Sequence, residues 1–216
     1  MTRYLLVHPP LLGPAVWQPV ARVLGADALV PDLRGCVDPA NGWWERVVEV
    51  CAPLLTDDTV LVGHSGAGVV LPSIAVAGPV VEVVFVDALV PARHGPTMPG
   101  QSIREFVSAL PSDTHLPRWS TWWSDDAVAA LTDDQLLLQQ IVAEQPQLAA
   151  DFYDHAVPVP PGWDERVRCR YVRFSPAYTA VAADAAERGW PVIDLPGTHL
   201  HQVNRPDQVA GVLRAE

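Results

Sequence analysis

The chain has 216 residues, 49% of them hydrophobic, enough to bury the core of one domain without help from a partner. Its formal net charge is −11, and all 14 basic residues are arginine, so nucleic acid and anionic membranes are excluded as expected partners. Cys36, Cys51 and Cys169 lack metal-ligand spacing and form no disulfide framework, which points to small core residues and no metal.

The first segment, "RYLLVH" at 3–8, reads as a strand with no secretory leader before it, so a cytoplasmic protein is expected. Residues 15–25 carry apolar side chains at helical spacing, and "ALVPDL" at 28–33 reads as a second strand. A helical stripe over 41–55 follows, from Trp44 through Val47, Val48 and Cys51 to Leu55. "TVLVGH" at 59–64 is a strand, 66–77 a helix, and "VVEVVFVDA" at 80–88 a strand. After a long interval come a strand at 169–174, a helix at 176–188, a strand at 191–195 and a last helix from near Pro206.

Continuous Val/Ile/Leu runs mark strands covered on both faces. Strand-helix alternation then predicts an α/β fold: a mostly parallel six-stranded sheet with helices on both faces. The interval 92–165 breaks the alternation with a Gly/Pro-rich loop and four helical pieces: "SIREFVSAL", "DDAVAAL", "DDQLLLQQIVAEQ" and "PQLAADFYDHA". It is too long for a crossover and too apolar for a linker. The expected organisation is a core of 1–91 and 166–216 with 92–165 as a helical cap over the carboxyl ends of the strands, where open parallel sheets place their sites. The basic run "RVRCRYVR" at 166–173 reads as strand with solvated arginines, or as a place to meet an acidic substrate or carrier.

"VGHSGAGVV" sets Ser65 at the corner between a strand and a helix. A serine hydroxyl is a weak nucleophile until a base takes its proton, and it must stand clear of the backbone. A tight corner achieves this, provided that its neighbours are small, as Gly63, Gly66 and Ala67 are. The sequence here resembles the α/β-hydrolase superfamily, whose pattern is Gly-x-Ser-x-Gly; alanine replaces the last glycine, and Gly68 follows. Three further segments resemble the same family: "YLLVHPPLLGPAVWQPVARVL", "ALVPDLRG" and "VIDLPGTHLHQVNRPDQVAGVL". The likeness is to compact members, and it implies the strand order 2-1-3-4-5-6.

The resemblance implies a catalytic Ser65 and a histidine base late in the chain, His199, with His201 as competitor. Many relatives carry the acid after the penultimate strand, but "RFSPAYTAV" has no carboxylate before Asp184. Asp87, at the end of the preceding strand, is assigned instead; a turn or capping carboxylate is the other reading of it. Asp32 reads as a turn carboxylate, and Asp194 is close in sequence to His199. The resemblance places one oxyanion donor at the Gly66 amide and the other at Pro10, which has no N–H. Either Leu11 supplies that bond or one donor is missing. His8 reads as structural. His64, Trp119, Trp122 and Trp123 are expected to line an apolar substrate pocket.

The expected activity is attack of Ser65 on an ester or thioester of an apolar or aromatic acyl group, with no cofactor. The substrate is a small molecule or carrier-bound. The alternatives are acyl transfer to an acceptor other than water in specialised biosynthesis, a non-hydrolytic lyase or cyclase, and a ligand-binding protein with a vestigial site.

Overall fold

A computed structural model describes residues 2–215. The strands are β1 (Arg3–Val7), β2 (Ala28–Leu29), β3 (Thr59–His64), β4 (Glu82–Val86), β5 (Arg168–Arg173) and β6 (Val192–Asp194). They form one sheet in the order β2-β1-β3-β4-β5-β6, with every neighbouring pair parallel. β2 is shorter than the apolar run at 28–33 suggests, because Pro31 offers no N–H to extend the ladder at this edge.

The helices are α1 (Gln18–Leu24), α2 (Trp43–Cys51), α3 (Leu71–Val76), α4 (Gln101–Ser108), α5 (Asp125–Ala129), α6 (Gln135–Ala143), α7 (Thr179–Glu187), α8 (His201–Asn204) and α9 (Pro206–Arg214). Pro72, lacking an N–H, divides the stretch expected as one helix over 66–77: a 3-10 turn, Ser65–Val69, comes first, and α3 then carries the proline in its opening turn.

Alternation along each strand splits the core in two. Register aligns Leu5, Leu61, Val83 and Cys169 across the sheet on one face, where α2, α3 and α7 contribute Trp43, Leu71, Ile74 and Ala185. Leu6, Val62 and Val84 point to the other face, covered by Val20 of α1, Ile141 of α6 and Val209 and Leu213 of α9. Each such side chain contributes roughly 1.5–3 kcal/mol by leaving water. Arg170 shares this second face. Its guanidinium pairs with Glu82 at 3.1 Å and donates to the Val212 and Leu213 carbonyls at the end of α9. Arg173 pairs with Asp194. These two arginines of the basic run therefore serve the fold. The three cysteines are buried, and burial pushes the Cys51 and Cys169 thiols up to about 12.

Residues 92–165 leave the sheet after β4 and return at β5. Glu144 accepts the Ala15 amide at 2.7 Å, His115 pairs with Asp38, and Asn204 donates to the Leu131 carbonyl. Ala15 and Asp38 lie on the turns and loops that follow β1 and β2, and Asn204 ends α8, after β6. Of the four expected helical pieces, three form: α4, α5 and α6, the last two capped by Ser124 and Asp134. The fourth, at 146–156, does not. Its backbone pairs elsewhere: Leu148 accepts the Leu116 amide at 2.8 Å and Ala150 donates to the Thr114 carbonyl at 2.9 Å. Only the single turn Phe152–Asp154 is helical there.

Candidate active site

β3 delivers Ser65 at its carboxyl end with φ of +55°, a left-handed backbone that few non-glycine residues adopt. The chain reverses sharply here, and the Leu89 amide donates to the Ser65 carbonyl at 3.0 Å. The corner needs small neighbours at two points. A Cβ on Gly63 would lie 2.8 Å from Leu71, and one on Gly68 would lie 1.8 Å from the Leu89 carbonyl oxygen. The second contact is with backbone, which cannot yield. Gly68, one position after the expected small residue Ala67, is thus the glycine that this corner requires.

His199 comes from the loop between β6 and α8. Its Nε2 lies 3.0 Å from Ser65 Oγ, and its Nδ1 lies 2.7 Å from Asp87 Oδ2. Asp87 directly follows β4, with φ of +40°, and is fully buried. Its Oδ1 accepts the amides of Phe174 and Ser175 at 2.9 and 3.0 Å, and its Oδ2 also accepts the Ser175 hydroxyl at 2.7 Å. Burial raises the carboxyl pKa, but hydrogen bonds from His199, Ser175 and Phe174 outweigh it and hold the group below its ordinary value. An ionised Asp87 requires the proton of His199 on Nδ1. Nε2 is then free to accept the Ser65 proton. The His199 side chain keeps 31% of its surface exposed, so the pair is open to an incoming molecule.

The rival residues are engaged elsewhere. His201 is buried, 3.2 Å from Gln208, and packs on Phe174. Asp184 pairs with Arg93 and Arg188, and Asp32 with Arg34. His8 accepts the Leu33 amide at Nε2 and donates from Nδ1 to the Pro9 carbonyl, which ties down the loop that follows β1. That loop brings Pro10 against Gly66: a Cβ on Gly66 would meet Pro10 Cδ at 3.4 Å. Among the described residues, nothing accepts the Leu11 amide, while Leu12 donates to Pro9.

Of the expected pocket residues, His64 is placed otherwise. His64 is wholly buried and lines no open pocket. Its Nε2 donates to the His199 carbonyl at 2.9 Å, and its ring lies 4.5 Å from that of His199. Burial, aided by the neighbouring His199, pushes its pKa down to about 3, so it is neutral. It supports the His199 loop from behind, because an inward-facing position at the end of a central strand is core. Trp119, Trp122 and Trp123 gather with Phe106 into an aromatic cluster, Trp123 stacking on Phe106 at 6.1 Å. Trp122 donates to the Pro117 carbonyl at 2.8 Å, and Trp123 is largely exposed. Among the described residues, no ring contact or hydrogen bond joins this cluster to Ser65 or His199. A cavity of about 500 Å³ lies at the amino ends of β4 and β5, between Pro79 and Trp163.

One neighbour of Ser65 went unforeseen. The Tyr178 hydroxyl lies 3.4 Å from Ser65 Oγ, and its ring stacks on His199 at 5.0 Å and 6°. The available signal was its position in "RFSPAYTAV", the loop already suspect for lacking an acid.

The sequence matches the model of the alpha/beta hydrolase family over residues 4–212. The chain belongs to the alpha/beta hydrolase family. No curated protein matches it in sequence. Solved alpha/beta hydrolases share its fold at low identity. An extracellular alpha/beta-hydrolase from a Paenibacillus species is 16% identical, with 99% of this chain and 98% of that one covered and a TM-score of 0.73. A pyrethroid hydrolase from Sphingobium faniae is 17% identical, with 98% and 95% covered and a TM-score of 0.70. The thioesterase domain of a curacin biosynthetic pathway is 17% identical, with 99% and 91% covered and a TM-score of 0.60. This alpha/beta hydrolase has no helix among its described residues that is long and apolar enough to cross a membrane, and no cluster there that could hold a metal ion.

Proposed function

We propose that this alpha/beta hydrolase cleaves an ester or thioester of an apolar or aromatic acyl group through an acyl-enzyme on Ser65. The observation that carries the reading is the continuous hydrogen-bonded line from Ser65 through His199 to the buried Asp87. As Ser65 Oγ bonds to the carbonyl carbon, its proton passes to His199 Nε2 and the C=O electron pair moves to oxygen. His199 then gives the proton to the departing alcohol or thiol, and the carbonyl re-forms as the acyl-enzyme. Water repeats the sequence to release the acid. Asp87 keeps the proton of His199 on Nδ1 and offsets the positive charge of the imidazolium. A pyrethroid hydrolase and a thioesterase domain share this fold and are compatible with the reading.

A fluorophosphonate probe tests the reading. One adduct on Ser65 by intact mass and peptide mapping is the expected result. An unlabelled protein argues for a binding role or for non-hydrolytic chemistry.

Pro10 favours a second reading, in which simple hydrolysis is slow and another acceptor or reaction is served. A missing oxyanion donor costs roughly 2.7–4 kcal/mol, or 10²–10³ in rate. Pro10→Ala restores an N–H with little change in bulk. It is expected to hydrolyse 4-nitrophenyl esters faster than wild type, by less than that full factor, because the loop is not shaped to aim the new amide at the oxyanion. Equal or slower hydrolysis by the folded variant would show that the loop shapes the pocket and does not weaken the oxyanion site.

A further inference from the structure

We infer that the Tyr178 phenol is a catalytic oxyanion donor, supplying from the loop after β5 the hydrogen bond that Pro10 cannot supply from the loop after β1. The inference rests on the proposed attack by Ser65.

Three observations converge on it. First, Tyr178 Oη lies 3.4 Å from Ser65 Oγ, and among the described residues the phenol has no other hydrogen-bond partner. A polar group held at a half-buried site beside the reacting atom, with one long contact, is free to strengthen a bond elsewhere. Second, the ring is fixed. Tyr178 closes the short 3-10 turn Pro176–Tyr178, its amide donates to the Ser175 carbonyl at 3.2 Å, and the ring face lies parallel to the imidazole of His199. The loop itself is anchored by Asp87, which holds the Phe174 and Ser175 amides. Third, the residue opposite Gly66 on the β1 loop is Pro10, whose nitrogen carries no hydrogen.

The step balances simply. Ser65 Oγ bonds to the carbonyl carbon, its proton goes to His199 Nε2, and the C=O electron pair becomes the oxyanion. That oxygen is bonded to the carbon that Oγ has just joined, so it forms close to the phenol. Donors act at 2.7–3.1 Å from the oxyanion and not from the ground-state oxygen, so the hydroxyl needs only a small shift from its resting contact. The phenol donates and is not consumed. When the tetrahedral species collapses, the electron pair returns to the C=O bond and the hydrogen bond weakens. Burial pushes the Tyr178 pKa up from its ordinary value, which keeps the proton on the oxygen at neutral pH. The ring also lies flat against His199, where a π face favours the imidazolium formed in the same step.

Tyr178→Phe tests the hydroxyl alone, because the ring and its stack on His199 remain. The readouts are kcat and KM on a 4-nitrophenyl ester, and the second-order rate of fluorophosphonate labelling, whose phosphoryl oxygen occupies the same place as the oxyanion. The variant is expected to label at Ser65 but about 10²-fold more slowly, with kcat down by a similar factor and KM within about threefold. Pro10→Ala in the Tyr178→Phe background is expected to recover at least about tenfold, more than it gives in wild type, since it returns one donor of the same kind. A Tyr178→Phe protein within about threefold of wild type in both rates would overturn the inference and leave the Leu11 amide as the donor. A Tyr178→Phe loss that falls on KM alone, with kcat and the labelling rate unchanged, would also overturn it, since an oxyanion donor acts on the transition state. Wild-type protein that takes no label at Ser65 would overturn the nucleophile reading and this one together. A labelled wild type with an indifferent Tyr178→Phe overturns this one alone.

Discussion

Ser65→Ala is expected to lose ester turnover by 10⁴-fold or more, on the scale seen when such a nucleophile is removed. The substitution deletes one oxygen and nothing else. Alanine meets the same steric cost at φ of +55° that serine already bears, so the corner keeps its path. Two side-chain contacts go, the 3.0 Å bond with His199 and the 3.4 Å contact with Tyr178. Each is partly exposed, and the net loss of a hydrogen bond of this kind is about 1 kcal/mol, too little to unfold a domain of this size. The melting temperature should therefore move by only a few degrees while kcat collapses and fluorophosphonate labelling disappears. Turnover within about tenfold of wild type would remove Ser65 from the nucleophile role and move the chemistry to some other group. His199, left without the Ser65 hydroxyl as donor to Nε2, should still hold Asp87.

The parts of this molecule that were legible in the sequence are those written locally. Six apolar runs of strand length, separated by helical stripes, predict a parallel sheet, and the observed order β2-β1-β3-β4-β5-β6 follows the family resemblance. The corner at Ser65 announces itself because a left-handed serine and the close approach of Leu89 to Gly68 demand small residues in a row. Asp87 was legible by default, from a loop after β5 that lacks a carboxylate. In its place the loop offers two amides and the Ser175 hydroxyl, all donors, which suit a carboxylate reaching across from β4. The remainder depends on contacts between segments far apart in the chain. Tryptophan density in 92–165 says that apolar surface will be covered, not which surface; Trp119, Trp122 and Trp123 cover one another and Phe106. His64 sits beside the nucleophile in sequence, yet alternation along β3 turns it into the core. The backbone at 146–156 pairs with Thr114 and Leu116, so its hydrogen bonds are not available to a helix. Tyr178 is 113 residues from Ser65, and its approach depends on how the Ser175–Pro176 turn is pinned.

Asp87→Asn is expected to lower kcat by about 10⁴-fold while leaving the fold and substrate binding nearly intact, the scale on which a buried triad carboxylate acts through the tautomer of its histidine. The argument is one of donors and acceptors. Asp87 Oδ1 accepts two amides, from Phe174 and Ser175, at 2.9 and 3.0 Å. An asparagine must keep its carbonyl oxygen there, because an NH₂ facing two N–H groups would leave all of them unsatisfied in a buried site. Its NH₂ then replaces Oδ2 and faces the Ser175 hydroxyl and His199 Nδ1, both at 2.7 Å from the present oxygen. The hydroxyl can turn round and accept. Nδ1 can accept only by giving up its proton, so the imidazole takes the other tautomer, with hydrogen on Nε2. That nitrogen then points a proton at Ser65 and can no longer receive one. The loss should fall on kcat, with KM changing little, and fluorophosphonate labelling should slow in parallel. Asp184→Asn is the matched control. Asp184 is a surface partner of Arg93 and Arg188, and its loss should leave turnover within about threefold, as expected for ion pairs in or near water. Measured side by side, a larger loss from Asp184→Asn than from Asp87→Asn would transfer the orienting role to the helix α7 carboxylate. Equal, small losses would mean that His199 holds its tautomer without any carboxylate.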